Sequence, residues 1–388
     1  MKIVDIRMIP LSYRCEPPYG SAGGMQARRG ALLVEIETDE RVIGIGEAGV
    51  GGGSTRDVIE RQLRPMLIGE DPLLIERLWQ KMFARTRQFG RRGIVMNAIS
   101  GIDIALWDIA GKVAKLPLYR LLGGCRDRVE AYASGGFYQE GKGVDELAGE
   151  AEGYRARGFK GMKMKIGRNP STQTHLRHLV DHAELCEVEP EEDIARVAAV
   201  RKALGPHAKL MVDVNCAWSP AMAIRMGHAL EPYDLYWIEE PVATDDIDGS
   251  ARVAAALATP IAGYETEIGL YGFRELITRG AVDITQPDIA WAGGFSECRR
   301  IAALAQAHHL MLAPHAFAGA VLLAAALHFI ASIPNGLVLE FDQNPNGLRD
   351  ELLKAPFREE RDGTIRLPER PGLGIELDPA AIERYRAG

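Results

Sequence analysis

The fold of this chain is decided by three short apolar segments that end in acids: KLMVD at residues 209–213, LYWIE at residues 235–239 and PIAGYE at residues 260–265. Their terminal residues Asp213, Glu239 and Glu265 follow one another at two successive intervals of 26 residues. In a parallel barrel each strand is followed by a helix, and functional side chains gather at the carboxyl ends of the strands. The constant interval therefore predicts neighbouring strands of one barrel, with the three acids together at its mouth.

The same pattern extends along the chain on both sides. Asp288 comes 23 residues after Glu265, His315 a further 27 residues on, and Glu340 a further 25. Apolar segments that alternate with helical periodicity fill residues 126–355 and predict eight parallel strands. These strands read VEAYASGG, GMKMKIG, KLMVDVN, LYWIEEP, PIAGYE, AVDITQP, LMLAPHA and GLVLEFD. The fold class is therefore α/β, with a parallel barrel.

Residues 1–125 have a different character. KIVDIRMIPL and ALLVEIETDERVIGIGEA alternate apolar and polar residues, as the strands of a hairpin do. A Gly-, Pro- and Arg-rich stretch at residues 15–30 predicts a loop between them, and helical periodicity follows over residues 55–124. These features predict a separate α+β unit, onto which the tail at residues 356–388 returns.

Composition and charge argue against several classes of protein. The formal net charge of −7, without a Lys/Arg-rich block, argues against nucleic acid as the partner. The first residues lack the apolar core of a signal peptide, and five cysteines without pairwise spacing indicate reduced thiols, so we expect a cytoplasmic protein. The apolar run at residues 316–333 is rich in alanine and contains His328, which favours a buried helix over a membrane span.

The three acids form a candidate metal site. Converging carboxylates repel one another and are costly to bury without a partner of opposite charge. Oxygen ligands suit a hard divalent cation such as Mg²⁺, which keeps coordination positions open for water or substrate. The alternative is that each acid caps a helix or forms its own ion pair at the barrel rim. The constant interval favours the metal site.

Candidate acid/base residues lie on further strands of the predicted barrel. Lys163 and Lys165 are two positions apart and so face the same side of their strand, which we expect to be the barrel interior. A desolvated lysine near another cation has a lowered pKa, as a general base requires, whereas a solvent-exposed lysine pair is the alternative. Asp288 and His315 end the sixth and seventh strands, where an aspartate can orient an imidazole as a second acid/base.

With these residues in this order, the chain resembles the enolase superfamily, and within it the mandelate racemase subgroup. The resemblance implies a (β/α)7β modified TIM barrel at residues 126–355. It also implies an α+β capping domain formed by residues 1–125 together with the tail at residues 356–388. We expect a homo-oligomer that acts on a small carboxylate substrate, without nucleic acid or membrane as partners.

The resemblance also implies a role for each candidate residue. The ligands of one Mg²⁺ per subunit would be Asp213, Glu239 and Glu265. The acid/base residues would be Lys165 on one face of the substrate and His315, supported by Asp288, on the other. The residues that line the substrate pocket would be Lys163, Asn215 and Glu340.

The expected reaction begins with removal of the proton next to a substrate carboxylate, which gives an enediolate. Loss of a hydroxyl from the neighbouring carbon would then dehydrate a sugar acid, an aldonate or aldarate, to a 2-keto-3-deoxy acid. Reprotonation instead would make the enzyme a racemase or epimerase of a 2-hydroxy acid. A catalytically inactive metal-binding barrel is a third alternative.

Dehydration is favoured by the composition of residues 14–29, which by the resemblance hang over the barrel mouth. They include the polar or small residues Tyr19, Ser21, Gln26 and Arg28, whereas an aromatic substrate would favour an apolar cover. A muconate-type cycloisomerase is disfavoured, because its sixth strand carries a lysine where this chain has an aspartate.

An insertion departs from the regular interval between strand ends. The second and third strand ends are 48 positions apart, and the extra stretch at about residues 168–193 carries His175, His178 and His182 at helical spacing. A solvated or subunit-facing helix is favoured over a metal site of three histidines. The role of the insertion in substrate binding stays open.

Residues 44–49 fit the pattern GxGxxG after a predicted strand. A dinucleotide fingerprint must open a helix directly after its glycines. Here further glycines follow, and helical periodicity starts only near Thr55. Nucleotide binding is therefore disfavoured.

Overall fold

The computed structural model describes residues 1–49, 52–168 and 188–387. Its strands form a closed parallel barrel and a small antiparallel sheet. The small sheet has the order β1–β2–β3, with β1 Ile3–Ser21, β2 Gly24–Thr38 and β3 Ile43–Ala48. The barrel strands are β4 Arg128–Ser134, β5 Gly161–Lys165, β6 Lys209–Asp213, β7 Trp237–Glu239, β8 Ile261–Gly263, β9 Ile284–Thr285, β10 Met311–Leu312 and β11 Leu339–Asp342. The last strand, β12 Thr364–Arg366, pairs with β4.

Helices accompany both groups of strands. The helices of the N-terminal region are α1 Gly52–Val58, α2 Arg64–Leu67, α3 Ile75–Thr86, α4 Ile94–Ala114 and α5 Leu118–Leu121. The helices that follow strands β4 to β10 in turn are α6 Val144–Ala156, α7 Pro190–Leu204, α8 Pro220–Leu230, α9 Ile247–Ala256, α10 Gly269–Thr278, α11 Gly294–Ala307 and α12 Ala320–Ser332. The helices nearest the C-terminus are α13 Gly347–Asp350 and α14 Pro379–Tyr385.

The barrel closes between its last strands and its first. Strands β4 to β10 pair in chain order, and β11 pairs in parallel with β4. A parallel bridge between Leu312 and Gly336 then joins β10 to the segment that leads into β11. Seven β/α units and a final strand therefore form the ring, which confirms the predicted (β/α)7β barrel.

The apolar run predicted as a buried helix is α12, and every residue of this helix is buried. Its His328 is hydrogen-bonded on both sides, because Nδ1 accepts the Tyr119 N–H at 3.0 Å and Nε2–H donates to Leu373 O at 3.0 Å. Burial lowers the pKa of His328 to about 4, so the imidazole is neutral. Helix α4 is also long and apolar enough to cross a membrane, but 83% of its apolar window is buried inside the protein. Both are core helices.

Strand β3 packs directly against α4. A Cβ atom at Gly44 would lie 2.1 Å from Ala105 O, and one at Gly46 would lie 2.0 Å from Gly101 O. These glycines of the GxGxxG pattern are therefore required for the close approach of strand and helix. Packing accounts for them without a nucleotide.

The loop predicted at residues 15–30 is instead the end of the long β1–β2 hairpin. Its prolines lie in a register irregularity between Arg14 and Tyr19. Beyond it, Gly20 and Tyr138 exchange two main-chain hydrogen bonds at 2.8 and 2.9 Å. Local Gly and Pro content disfavours a strand, but pairing with the loop after β4 supplies hydrogen bonds that the local sequence does not reveal.

The C-terminal tail contacts the barrel first and the capping region afterwards. Ile365 of β12 pairs with Val129 at the start of β4, and Ala387 N–H later donates to Pro10 O of β1 at 2.9 Å. The capping region therefore includes the end of the tail, as predicted. Residues 169–187, which include the three histidines of the insertion, lie outside the described residues.

Candidate active site

Three carboxylates meet at the mouth of the barrel. Asp213 ends β6, Glu239 ends β7 directly beside it in the strand register, and Glu265 follows β8. One oxygen atom of each residue lies within 4.8 Å of the others. Asp213 and Glu239 are buried whereas Glu265 is only half-buried, so the cluster is accessible from the side of Glu265.

The donor set of this cluster fits a divalent cation. Octahedral Mg²⁺ holds oxygen ligands at about 2.0–2.1 Å, which places ligand oxygens about 3–4 Å apart. The three carboxylate oxygens, which lie within 4.8 Å of one another, therefore need to approach by at most about 2 Å. All donors are oxygen atoms, as a hard cation prefers. Asp213, Glu239 and Glu265 are accordingly a candidate divalent-metal site.

Two buried lysines of β5 face the same cluster. Lys163 forms an ion pair with Glu239 and a second, at 3.0 Å, with Glu340, while Lys165 forms an ion pair with Asp213. Burial lowers the pKa of Lys165, but the Asp213 carboxylate raises it, and the net direction is upward. The lowered pKa expected for a base is therefore absent in this arrangement, because Asp213 stabilises the charged form of Lys165.

A histidine–aspartate pair lies on another part of the mouth. His315 Nδ1 and Asp288 Oδ2 are 2.6 Å apart, and the Ala290 N–H donates to Asp288 Oδ1 at 2.7 Å. On the other side of the ring, His315 Nε2 lies 3.1 Å from Glu265 Oε2. Burial lowers the pKa of His315, but the neighbouring carboxylates, Glu265 first, raise it to about 10. Its Nε2 is placed to exchange a proton at the carboxylate cluster.

The remaining predicted residues also contact this mouth. Glu340 is fixed by Ser134 Oγ, which donates to its Oε1 at 2.7 Å, and by the Ala316 N–H, which donates to its Oε2 at 3.0 Å. The Asn215 N–H donates to Asp213 Oδ1 at 2.9 Å. The structure therefore brings all the predicted site residues together.

Sequence reasoning misses Ser134 and Gln286. Ser134 ends β4, and Gln286 follows β9 and donates from Nε2 to Glu239 Oε2 at 2.8 Å. Both lie at carboxyl ends of barrel strands, where functional side chains are expected. The rule that identifies the acids would have identified these residues too, had it included uncharged polar side chains.

The hairpin tip covers the mouth with an aromatic side chain. Tyr19 is buried and packs edge-on against Phe137, with ring centroids 5.0 Å apart. Phe137 in turn stacks on Phe317 at 5.4 Å, whereas Gln26 and Arg28 are exposed. Gln26 and Arg28 line a cavity with Trp291 and Phe317, whose rings lie 5.3 and 6.3 Å from the His315 ring. Polar and aromatic side chains of the hairpin therefore both lie near the mouth.

Curated relatives and solved structures are similar to this chain over nearly its whole length. An arabinonate dehydratase of Saccharolobus solfataricus is 41% identical over 92% of this chain and 90% of its own length. A D-galactarolactone cycloisomerase of Agrobacterium fabrum is 37% identical over 100% of this chain and 99% of its own. The crystal structure of a racemase from Streptomyces coelicolor A3(2) with bound magnesium has a TM-score of 0.88 and 32% identity, over 99% of this chain and 100% of its own.

Two family models divide the chain between them. Residues 4–123 match the mandelate racemase / muconate lactonizing enzyme N-terminal domain, and residues 146–381 match the enolase C-terminal domain-like family. The second match covers more than half of the chain and includes every predicted site residue. The chain therefore belongs to the mandelate racemase/muconate lactonizing enzyme family of the enolase superfamily.

Proposed function

We propose that this enzyme is a Mg²⁺-dependent sugar-acid dehydratase, which converts an aldonate or aldarate to a 2-keto-3-deoxy acid. The observation that carries the proposal is the pair of acid/base groups facing one carboxylate cluster. Lys165 contacts Asp213, and His315 Nε2 lies 3.1 Å from Glu265. Lys165 lies on β5 and His315 follows β10. In the ring, β4 and β11 lie between these two strands on one side, and β6 to β9 lie between them on the opposite side. The two groups therefore approach a bound substrate from different directions.

The first step is removal of the α-proton. When held by Asp213, Glu239 and Glu265, Mg²⁺ would neutralise the substrate carboxylate and stabilise the negative charge that develops on it. Lys163, which lies beside this cluster, would donate a hydrogen bond to the substrate carboxylate. When Asp213 is engaged as a metal ligand, the ion pair that favours the charged form of Lys165 would be weakened. Lys165 in its neutral form then takes the α-proton, and the electron pair of the broken C–H bond becomes the enediolate π bond.

The second step is loss of water. His315, protonated at Nε2, gives a proton to the hydroxyl on the β-carbon as the C–O bond breaks, and the enediolate electrons form the new C=C bond. Asp288 at 2.6 Å stabilises the imidazolium beforehand and keeps Nε2 oriented towards the cluster. The resulting enol takes up a proton at the β-carbon and loses the proton of its C2 hydroxyl, which gives the 2-keto-3-deoxy acid.

Two observations bear on which reaction follows removal of the α-proton. The 41% identical relative carries the name arabinonate dehydratase, which supports dehydration of a sugar acid. The full-length similarity to a D-galactarolactone cycloisomerase supports a second candidate, isomerisation of a sugar-acid lactone through the same α-proton removal. A racemase or epimerase would use Lys165 and His315 as the two proton carriers.

Substrate screening separates these candidates. We expect a panel of aldonic and aldaric acids, incubated with the enzyme and Mg²⁺, to give 2-keto product from at least one acid. A panel of the corresponding lactones should give none. Product from the lactones alone, or a change of optical rotation without keto product, would replace dehydration by cycloisomerisation or racemisation.

Incubation in D₂O, followed by NMR of the α-proton, tests the two acid/base groups. We expect Lys165→Ala to stop exchange for the epimer whose α-proton faces the lysine. We expect His315→Asn to stop dehydration while that same proton still exchanges. Lys209→Ala is the matched control, because Lys209 begins β6 at the opposite end of the barrel. Loss of exchange for both epimers in either variant, with metal still bound, would contradict the assignment.

A further inference from the structure

A buried carboxylate of the capping region contacts the barrel segment that follows His315. Glu47 lies on β3, next to the end of the strand, and is 1% exposed. Its Oε1 accepts the Gly319 N–H and its Oε2 accepts the Leu322 N–H, both at 2.8 Å. These two donors lie at the N-terminus of α12, four and seven residues after His315 in the sequence.

Glu47 therefore caps the N-terminus of α12, although the two lie far apart in the chain. Helix α12 has no side-chain cap of its own and no acid in its first turn, so its first N–H groups depend on an outside acceptor. Gly319 provides the space, since a Cβ atom there would lie 2.7 Å from Glu47 Oε2. Burial raises the pKa of Glu47 to about 7, whereas the two N–H donors and the helix dipole favour its charged form.

The same strand end contacts the other half of the His315–Asp288 pair. The Gly49 N–H donates to Ala290 O at 3.1 Å, and the Ala290 N–H donates to Asp288 Oδ1 at 2.7 Å. A Cβ atom at Gly49 would lie 2.2 Å from the Trp291 ring, whose centroid is 5.3 Å from that of His315. Residues 47–49 thus touch both loops that carry the second acid/base.

We propose that Glu47 is a positioning residue for His315, and that the capping region fixes the second acid/base through it. This inference depends on the proposed function in one respect, namely that the step assisted by His315 is dehydration. If the Glu47 carboxylate is lost, the N–H groups of Gly319 and Leu322 are left buried without acceptors, which drives the start of α12 to move. His315 moves with it, whereas Lys165 on β5 is held by its ion pair with Asp213.

The expected effect is therefore selective. Residues that orient an active-site group through a hydrogen bond change activity by about 10- to 100-fold when they are replaced. We expect Glu47→Ala to lower the kcat of dehydration by about that factor with little change in KM. Exchange of the lysine-facing α-proton should fall less than about 3-fold, so the ratio of exchange to dehydration rises.

Two further variants and one control make the test specific. Glu47→Gln keeps one acceptor and should give an intermediate ratio. Gly319→Ala leaves Glu47 intact but displaces its carboxylate, and should raise the same ratio. The control is Asp378→Ala, which removes the N-cap of α14 (Oδ1 accepts the Ala380 N–H at 2.9 Å) in the C-terminal tail. It should lower the melting temperature without changing the ratio.

A second readout does not depend on any substrate. The proton between His315 Nδ1 and Asp288 Oδ2 should give a low-field ¹H NMR resonance, assigned by its absence in His315→Asn. We expect this resonance to shift or broaden in Glu47→Ala and Gly319→Ala, and to stay unchanged in Asp378→Ala. An unchanged resonance and an unchanged ratio in folded Glu47→Ala would overturn the positioning role. A wild-type enzyme that produces no 2-keto acid while Glu47→Ala alters the resonance would overturn the proposed function alone.

Discussion

The hairpin that covers the barrel mouth is held by a buried ion pair, and Arg29→Met removes one partner of that pair. Arg29 Nη1 lies 2.5 Å from Asp342 Oδ2 and 2.8 Å from the Tyr19 hydroxyl, and the Arg29 and Asp342 side chains are only 4% and 2% exposed. The Arg29 guanidinium also lies 3.9 Å from the centroid of the Phe317 ring. The substitution therefore leaves the Asp342 carboxylate buried without its main counter-charge.

The size of the loss follows from what remains around Asp342. Removing one partner of a buried ion pair costs about 3–5 kcal/mol of unfolding free energy. Arg349 Nη1 stays 3.5 Å from Asp342 Oδ2, and Asn344 still donates to Oδ1 from its N–H at 3.0 Å and from Nδ2 at 2.7 Å. We therefore expect the lower end of the range, a loss of about 3 kcal/mol for Arg29→Met.

A double-mutant cycle with Asp342→Asn measures the coupling directly. Because Asp342→Asn removes the uncompensated charge, the double variant should be more stable than the two single losses would predict, by about 1–3 kcal/mol. The assay is equilibrium unfolding in urea, followed by circular dichroism. Hydrogen exchange at the main-chain N–H groups of Gly20 and Tyr138 shows whether the hairpin tip opens before the barrel does.

Arg14→Met is the matched control on the same hairpin. The Arg14 side chain is 72% exposed and pairs with Glu16 at the surface, so its replacement should leave stability and hydrogen exchange unchanged. Additive losses for Arg29→Met and Asp342→Asn would refute the idea that these two charges hold the hairpin in place. Equal protection of the Gly20 N–H in Arg29→Met and in the unaltered protein would refute it as well.

Two further predictions concern the metal site and a buried acid between the capping region and the barrel. Glu239→Gln should abolish metal retention and turnover together, measured by titration with Mg²⁺ and by product formation, whereas the control Glu231→Gln should change neither. Full activity after exhaustive chelation would contradict this expectation. Asp103, whose carboxylate accepts hydrogen bonds from Ser296 Oγ at 2.6 Å and Ser296 N–H at 3.0 Å, has its pKa raised by burial from 3.8 to about 7. A raised folded-state pKa gives stability that is present below pH 3.8 and lost as pH rises through about 7. The unaltered protein should therefore lose about 3 kcal/mol relative to Asp103→Asn between pH 5 and pH 8 in urea unfolding, and a pH-independent difference would contradict the shift.

The sequence alone determines the barrel and the position of its polar strand ends. This succeeds because a β/α unit is a local repeat: apolar segments alternate with helical periodicity, and each carboxyl end reaches the same edge of the barrel. Asp213, Glu239 and Asp288 could therefore be placed at one mouth without any knowledge of their contacts. The buried helix α12 is also predictable from local sequence, because its alanine-rich composition and His328 distinguish it from a membrane span.

The sequence does not determine contacts between segments far apart in the chain. The hairpin over residues 15–30 reads as a loop, because its hydrogen bonds to Tyr138 belong to tertiary pairing and not to local propensity. The pKa of Lys165 moves upward against expectation, since a carboxylate 48 positions away stabilises its charge. Electrostatic energy depends on distance in space, and spacing along the chain does not supply it.

Glu47 illustrates the division most clearly. In the sequence it belongs to GxGxxG, a pattern in which only the glycines attract notice, and its position is 272 residues from that of Gly319. Only the packing of β3 against the barrel brings its carboxylate to the first turn of α12. The sequence determines which residues stand at the strand ends, because that information is local and periodic. The tertiary structure decides what holds those residues in place, because a buried N–H group must find its acceptor wherever the fold provides one.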